Sequence, residues 1–252
     1  MVPSKLQILT VAAAVSTLAL GQQTPPSDSL YSVSHVTVKA DHRATYEDYL
    51  KKMSDGYKKV GISSYTVYRG MAGNPLEYMI VRPVKSFASL DEGNQLANVF
   101  KPAELAALYT MRDQATESVR IAYERTVVSA GGGTGRKYRI YSRFRVKQGM
   151  AQAYSDAMKN EWAPAIGKLD GTRMRLRHVV RGGSPNDFIS TFDVDSLAGL
   201  DGEGPAVRAM GADKAAAWNK KIADMGVTVE ALLYIRIAEL SWGATAAAPA
   251  TR

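Results

Sequence analysis

The chain has 252 residues, of which 46% are hydrophobic and 22% are charged, a composition typical of a globular protein. It contains no cysteine, which excludes disulfides, thiolate metal sites and a cysteine nucleophile, and it contains only three histidines. The formal net charge is +8, but the basic residues are spread along the chain, whereas nucleic-acid binding needs clustered basic charge. We therefore expect no nucleic-acid partner.

The N-terminal segment has the pattern of a secretory signal peptide. A short start with Lys5 precedes an apolar run from Leu6 to Leu20, and Ala19-Leu20-Gly21 is a small-x-small cleavage pattern. A membrane anchor needs about 20 apolar residues, so the run is short for the alternative, an uncleaved anchor. We expect a signal peptide at 1–21 and a flexible leader at 22–29. The mature chain would then be periplasmic or secreted, without a membrane span.

The elements of the first part of the chain follow from hydrophobic periodicity. The pattern predicts strands at Tyr31–Val38, Ser64–Arg69, Leu76–Arg82 and around Val119–Tyr123. It predicts one helix that begins after Asp41 and ends at Val60, and a second at Leu96–Thr116 that is broken near Pro102. Tyr46, Tyr49 and Tyr57 recur at helical spacing and are interpreted as core residues.

The second part of the chain repeats this order. The pattern predicts strands at Tyr138–Val146, Arg173–Arg181, Phe188–Asp193 and Leu232–Leu240, and helices at Tyr154–Ile166 and Val207–Met225. Trp162 and Trp218 lie on the helical stripes and are again interpreted as core.

Three short patterns recur in the same order, 108 to 112 residues apart. The first pattern, Val38-Lys39 followed by Tyr46, recurs as Val146-Lys147 followed by Tyr154. The second, Arg69-Gly70 followed by Asn74, recurs as Arg181-Gly182 followed by Asn186. The third, Val84–Asp91, recurs as Val194–Asp201. We infer two copies, at 30–128 and 137–242. A glycine-rich linker at 129–136 joins them, and a disordered tail follows at 243–252.

The element order β-α-β-β-α-β, present twice, indicates an α+β protein built from two ferredoxin-like units. One such unit leaves a sheet face uncovered, and two copies can cover each other by packing sheet on sheet. The chain resembles the dimeric α+β barrel superfamily in its tandem, fused form. The resemblance rests on the element order and the repeat, without a family-specific motif. The superfamily includes antibiotic-biosynthesis-type monooxygenases, EthD-like and NIPSNAP-like proteins, the haem-binding chlorite dismutase group, and proteins without known activity.

Strand alternation places a set of arginines on the face that would meet the other copy. The predicted ligand-binding residues on this face are Tyr31, His35, Tyr65, Arg143, Arg175 and Arg177. Buried arginines need neutralisation. Internal carboxylates such as Glu77, Asp193 and Asp195 would make a salt-bridge network, water would leave a solvated arginine ladder, and a bound anion would make a ligand site. The sequence leaves open whether the arginine face is buried or solvated. In a further alternative the faces are assigned the wrong way round.

The histidines are the remaining candidates for chemistry. His35 is the candidate proton carrier, because histidine titrates near neutral pH, although the sequence shows no acid to orient it. His178 lies among apolar neighbours on the helix side and is interpreted as a core residue. The chlorite dismutase resemblance would allow it to ligate haem. We expect no metal site and no cofactor, with haem as the alternative.

These observations favour an exported α+β barrel that binds a small anionic or aromatic ligand between its sheets. One alternative is a cofactor-free monooxygenase-like enzyme acting on a phenolic or quinone-like substrate, and the other is a haem-binding protein of the chlorite dismutase type. The sequence leaves open whether the protein is an enzyme, which ligand it takes, and whether it oligomerises beyond the pairing of its two copies.

Overall fold

A computed structural model describes residues 29–132 and 136–243. The predicted signal peptide, the leader up to residue 28, the centre of the predicted linker and the tail from residue 244 lie outside the described residues. Within the described ranges, none of the helices combines the length and the apolar character that a membrane crossing requires.

The first half of the described chain contains four strands and two helices. They are β1 (Leu30–Val38), α1 (Arg43–Lys59), β2 (Ser64–Ala72), β3 (Glu77–Val84), α2 (Pro102–Ala115) and β4 (Thr116–Gly131). The predicted break near Pro102 is present, because a separate short helical turn precedes α2 and Pro102 occupies its first position. β4 is longer than predicted and includes Ser129–Gly131, which we had assigned to the linker.

The second half has the same order of strands, with two interrupted helical segments. Its elements are β5 (Tyr138–Val146), α3 (Ala151–Ala157), α4 (Ala163–Ile166), β6 (Thr172–Arg181), β7 (Asp187–Val194), α5 (Pro205–Met210), α6 (Ala212–Met225), β8 (Gly226–Arg236) and β9 (Trp242–Gly243). A π-helical turn at Met158–Trp162 joins α3 to α4. Gly211 separates α5 from α6 because its φ of +82° lies in the left-handed region. β8 begins earlier and ends earlier than predicted.

Eight antiparallel strands form a closed barrel in the order β3-β1-β4-β6-β7-β5-β8-β2, with β2 pairing back to β3. Each half supplies four neighbouring strands, and the halves meet at the β4–β6 and β8–β2 pairs. The protein is therefore α+β, as predicted, but its two sheets join edge to edge and do not stack as separate layers. The reason is that each half satisfies the unpaired backbone groups at the edges of the other.

The segment after β8 returns to the first half. Ile237 and Leu240 are buried in the core of that half, and the backbone N–H of Val67 donates to Ser241 Oγ at 3.0 Å. Trp242 Nε1 donates to the carbonyl of Ser54 at 3.1 Å. The C-terminal segment thus binds the second half to the first beyond the pairing of the barrel strands.

Three apolar cores lie at different places in the fold. One fills the space between the first-half sheet and its helices, another the equivalent space of the second half, and the third the barrel interior. Val33, Tyr141 and Val179 lie in the interior core, so β1, β5 and β6 present the predicted faces inward. The face of β2 was assigned wrongly: Tyr65 packs against the helices and Tyr68 points inward. An error of one residue in a strand reverses every side chain.

Candidate functional site

The buried pair of Arg139 and Asp193 lies in the barrel interior, where the two residues face each other across β5 and β7. Arg139 is 1% exposed and donates through Nε and Nη2 to the two carboxylate oxygens of Asp193, at 2.6 and 2.8 Å. Burial alone would raise the pKa of Asp193, but the Arg139 guanidinium lowers it to about 2. The charge of this arginine is therefore neutralised by the protein itself.

Further arginines of the predicted set have carboxylate partners that the sequence did not reveal. Arg177 Nη1 lies 3.3 Å from Glu124 Oε2, and both side chains are 2% exposed. Arg143 lies between Asp187 and Glu230, at 3.5 and 3.4 Å. Arg145 donates to both oxygens of Asp187 at 2.7 and 3.0 Å. The internal salt-bridge network, one of the sequence-based alternatives, thus accounts for much of the arginine set.

The predicted acids pair differently from one another. Asp193 neutralises Arg139, whereas Asp195 lies beyond β7 and bonds Arg136. Glu77, expected beside an arginine, instead bonds His35. The Nδ1 atom of His35 lies 2.9 Å from Glu77 Oε1, which also accepts a hydrogen bond from the Tyr234 hydroxyl at 2.6 Å.

His35 therefore has the orienting acid that sequence reasoning missed. It is 7% exposed and its ring meets the edge of Tyr141, with centroids 5.4 Å apart. Burial would raise the pKa of Glu77, but the hydrogen bonds from His35 and Tyr234 lower it, so Glu77 is anionic at neutral pH. A carboxylate that fixes one ring nitrogen of a histidine leaves the other available to take or give a proton.

Five of the six predicted ligand-binding residues belong to the barrel interior. Tyr31 lies beneath the Arg177 guanidinium, 4.2 Å from carbon Cζ to the ring centroid. Arg175 lies 3.9 Å from Asp193, and His35 and Arg143 occupy the Tyr141 side of the interior. Tyr65 is the exception, because it is 3% exposed within the helix-side core. The binding role of these residues stays a prediction.

The surroundings of His178 do not fit a haem ligand. Its ring stacks on Phe188 with centroids 4.6 Å apart, and its Nε2 lies 2.6 Å from the carbonyl oxygen of Pro185. An axial ligand needs a ring nitrogen free to meet the iron and open space beside it. The helix–sheet space of this half instead holds the stacked rings of Trp162 and Trp218, 5.3 Å apart. Within 29–132 and 136–243, no group of three or more histidine and acidic side chains is placed to hold a metal ion.

Part of the helix–sheet space of the first half is open, beside the apolar core. A cleft of about 230 Å³ lies between the sheet and helices α1 and α2. Six tyrosines, two arginines and two serines are among its lining residues: Tyr46, Tyr49, Tyr57, Tyr65, Tyr109, Tyr123, Arg82, Arg112, Ser32 and Ser34. We call this space the tyrosine cleft. A neighbouring cavity of about 330 Å³ shares Tyr57, Arg82 and Tyr109 with it.

The groups of the tyrosine cleft can donate hydrogen bonds and offset negative charge. Burial raises the pKa of Tyr46, Tyr49 and Tyr65, so their hydroxyl groups stay protonated. The Arg82 guanidinium lies over the ring of Tyr57, and that of Arg112 lies over the ring of Tyr109, at 5.2 and 5.0 Å. Flat aromatic walls and fixed guanidinium groups suit a planar ligand that has an anionic oxygen.

The tyrosine cleft has no evident general base. Among the described residues that line it, there is neither a histidine nor a carboxylate. His35 belongs to the opposite face of β1, since Ser34 and Val36 line the cleft while His35 contacts Tyr141 inside the barrel. The cleft can therefore bind and stabilise an ionised ligand, but it does not offer a group to remove a proton.

Comparisons with known proteins bear on the fold. No protein-family model matches the sequence, and no curated protein is significantly similar to it. A candidate monooxygenase from Fusobacterium nucleatum has a TM-score of 0.65 at 12% identity, over 88% of this chain and 98% of its own. Another from Lactobacillus acidophilus has a TM-score of 0.64 at 11% identity, over 87% and 98%. The chain has the dimeric α+β-barrel fold.

Other structures of this fold differ in what their names state. An anthrone oxidase-like protein has a TM-score of 0.60 at 14% identity, over 84% of this chain and 92% of its own. A chlorite dismutase from Candidatus Nitrospira defluvii has a TM-score of 0.52 at 11% identity, over the same shares. At these identities the similarity establishes the α+β barrel and does not transfer an activity.

Proposed function

We propose that this protein binds a small planar aromatic molecule with an acidic oxygen, such as a phenol or an enol, in the tyrosine cleft. The observation that carries the proposal is the cleft itself, which combines six tyrosine rings with the guanidinium groups of Arg82 and Arg112. Ligand sites are typically concave, mostly apolar and equipped with a few placed polar groups. A cavity of about 150 Å³ holds benzene, so the cleft has room for one or two fused rings.

The arginines argue for an acidic oxygen on the ligand. A guanidinium stays charged at any physiological pH and forms stronger hydrogen bonds to an anionic oxygen than to a neutral one. The tyrosine hydroxyls, kept protonated by burial, add neutral donors to the same space. Arg112 already contacts Asp113 Oδ1 through Nε and Nη2, each at 2.7 Å, so its other nitrogen, Nη1, and the Arg82 guanidinium are the donors proposed for the ligand oxygen. A ligand of the same shape without an ionisable oxygen would give these donors no anionic partner.

A cofactor-free monooxygenase-like activity is the second candidate, and the fold neighbours named as monooxygenases favour it. Such a reaction converts an acidic methylene into a carbonyl: one atom of O₂ enters the product, and the other leaves as water with the two methylene hydrogens. Because the cleft lacks a base among its described residues, the substrate would have to ionise by itself and be held as its anion by Arg82 and Arg112.

We also propose that the two halves are copies of one ferredoxin-like unit and that the mature protein is exported. The common element order and the recurring sequence patterns support the first proposal. The basic start, apolar run and small-x-small pattern before residue 22 support the second. The intact mass of the protein recovered outside the cytoplasm should correspond to a chain that begins near Gln22. A full-length mass in the membrane fraction would contradict export.

The binding proposal is tested with two probes of nearly equal shape, 2-hydroxy-1,4-naphthoquinone, which is an acidic enol, and 1,4-naphthoquinone, which is not. Calorimetry on the mature chain should give an affinity at least tenfold higher for the acidic probe. Arg112→Gln and Arg82→Gln should each lower that affinity by about tenfold, since a charge-assisted hydrogen bond contributes about 1.5–3 kcal/mol. Both variants should leave binding of the neutral probe unchanged.

The control is Arg145→Gln, which removes an exposed arginine of the second half that does not line the cleft. It should bind both probes as the wild type does. Equal affinities for the two probes, or insensitivity to both cleft arginines, would refute the binding proposal. Oxygen uptake with anthrone, lost in Arg112→Gln, would establish the oxygenase candidate, and no uptake above the buffer rate would leave binding alone.

A further inference from the structure

Three adjacent strands place hydrogen-bonding side chains side by side in the barrel interior, away from the tyrosine cleft. On β4, Thr126 faces Arg177 of β6 and Ser129 faces Arg175. On the other side of β6, Thr191 of β7 faces Arg175. Residues that face each other in an antiparallel pair project from the same side of the sheet. We call this set of five side chains the β6 cradle.

The β6 cradle holds buried polar atoms without a hydrogen-bond partner among the described residues. They are Nε of Arg175, Nε and Nη2 of Arg177, and the hydroxyl oxygens of Thr126, Ser129 and Thr191. Arg177 and Thr191 are 2% exposed, so bulk water does not reach them. Buried donors in proteins are almost always bonded to protein, ordered water or a ligand. Every one of these groups can donate, and the guanidinium groups cannot accept.

The charges around the cradle are unequal. Three guanidinium groups, those of Arg139, Arg175 and Arg177, act on the same region as two carboxylates, those of Asp193 and Glu124. Both oxygens of Asp193 are already bonded to Arg139, and Glu124 lies against Arg177. Arg175 reaches Asp193 only at 3.9 Å. The protein's own acids thus leave an excess of positive charge beside Arg175.

Arg175 shows the consequence of this excess. Burial lowers the pKa of Arg175 to about 9, and repulsion from the neighbouring arginines adds to the shift while Asp193 opposes it. The side chain is 15% exposed, so solvent reaches part of it. The Arg177 guanidinium lies over the ring of Tyr31, with Cζ 4.2 Å from the ring centroid. The excess positive charge, the unpaired hydrogen-bond donors and partial exposure to solvent therefore occur together around Arg175.

We propose that the β6 cradle binds a small oxyanion, of the phosphate or carboxylate class, inside the barrel. Such an ion accepts hydrogen bonds with every oxygen, which matches a cradle made of donors, and its charge offsets the excess of guanidinium groups. The site is independent of the tyrosine cleft, because it lies on the inward face of the barrel and uses second-half arginines. It also differs from the wider arginine set of the sequence prediction, since Arg143 and Arg145 are paired with acids.

The test measures thermal unfolding of the mature chain in inorganic phosphate, sulfate, acetate or chloride at one fixed ionic strength. Phosphate, sulfate or acetate should raise the melting temperature above the value in chloride. A hundredfold excess over the dissociation constant corresponds to a rise of about 5–10 °C for a chain of this size. The pattern among the three oxyanions assigns the class. Equal melting temperatures in all four salts would overturn the proposal.

Variants assign the effect to the cradle. Arg175→Gln should raise the melting temperature in chloride, because it relieves repulsion, and should abolish the rise with oxyanions. Arg145→Gln, the matched control on β5, should keep that rise. Thr191→Val removes one hydroxyl with little change of shape and should reduce the rise, which keeps the test valid if Arg175→Gln does not fold. A full oxyanion effect in both Arg175→Gln and Thr191→Val would place the site elsewhere and refute the proposal.

Discussion

The two halves of the barrel have the same order of strands, yet their helix–sheet spaces differ. Between sheet and helices, the first half encloses a cleft of about 230 Å³ lined by phenol rings, whereas the second half holds the parallel rings of Trp162 and Trp218, 5.3 Å apart. The cavity of the second half, about 470 Å³, lies instead among its helices, on the other side of Trp218 from the sheet residue Phe192. At the spacing of 108 residues that aligns Tyr46 with Tyr154, Ser54 corresponds to Trp162 and Val36 to Phe144. Side-chain volume on one backbone plan thus decides between a cavity and a core.

The largest expected loss of stability comes from removing one of the stacked tryptophan rings of the second half. Trp218→Ala should lower the free energy of unfolding by about 3–5 kcal/mol, because it removes a buried ring and leaves a void beside Trp162. Tyr109→Ala, in the open half, should cost about 1 kcal/mol, since that ring is only half-buried beside an existing cleft. Urea unfolding measures both, and equal losses would contradict the contrast between the halves.

The next effect is a loss of stability at low pH, and it arises from Asp193 in the barrel interior and not from either helix–sheet space. Asp193 has a folded-state pKa of about 2, below the value of about 4 in an unfolded chain. Its contribution of about 2 kcal/mol is therefore present above pH 4 and is lost as the pH falls towards 2. Urea unfolding of the wild type at pH 5 and pH 2.5 should show this loss.

The matched variant for this pH effect is Asp193→Asn. It should be less stable than the wild type at neutral pH, because Arg139 loses its buried partner, and it should lose less stability on acidification. An identical acid dependence in the two proteins would show that Asp193 is not the titrating group.

A smaller loss of stability is expected from replacing His178 of the second half. His178→Ala should cost about 1 kcal/mol, because it removes a stacking contact with Phe188 and a hydrogen bond to Pro185 from a half-buried site. Thermal unfolding measures this cost. If added haem produces a Soret band, we expect the same band in the variant. A band that disappears with His178 would revive the haem hypothesis.

Filling the tyrosine cleft should change ligand binding more than stability. Ser34→Leu places an apolar side chain in the tyrosine cleft, where space exists, so the free energy of unfolding should change by less than about 1.5 kcal/mol. Binding of 2-hydroxy-1,4-naphthoquinone, followed by calorimetry, should be abolished. Unchanged affinity in a folded Ser34→Leu protein would show that this probe does not occupy the cleft.

The alternation of side chains along single strands predicted which faces of β1, β5 and β6 point into the barrel. It placed the arginines of β5 and β6 on the inward face, because a strand side chain points opposite to its neighbours regardless of tertiary context. The partners of those arginines were harder to find. Glu124 and Glu230 lie on other strands, and Glu77 meets His35 only through the pairing of β1 with β3. Such contacts depend on strand register, which one sequence does not specify.

The tyrosine cleft could not be predicted for a different reason. The stripe of Tyr46, Tyr49 and Tyr57 on α1 has the same periodicity whether the facing space is filled or open. On the opposing strand, Ser32 is smaller than Ile140, its counterpart at the spacing of 108 residues. Tyr65 was a predicted ligand-binding residue of the barrel interior, but a one-residue error in the face of β2 hid its place in the lining of the tyrosine cleft.

Closure of the barrel has a consequence for how the chain folds. The β2–β8 pair joins Tyr68 to Arg236, so the last barrel contact forms only when nearly the whole chain is available. Contacts between residues so distant in sequence slow folding, and until they form the first half exposes the free edges of β2 and β4. A chain stalled at this stage could pair with another copy in place of its own second half. Folding yield should therefore fall steeply as protein concentration rises.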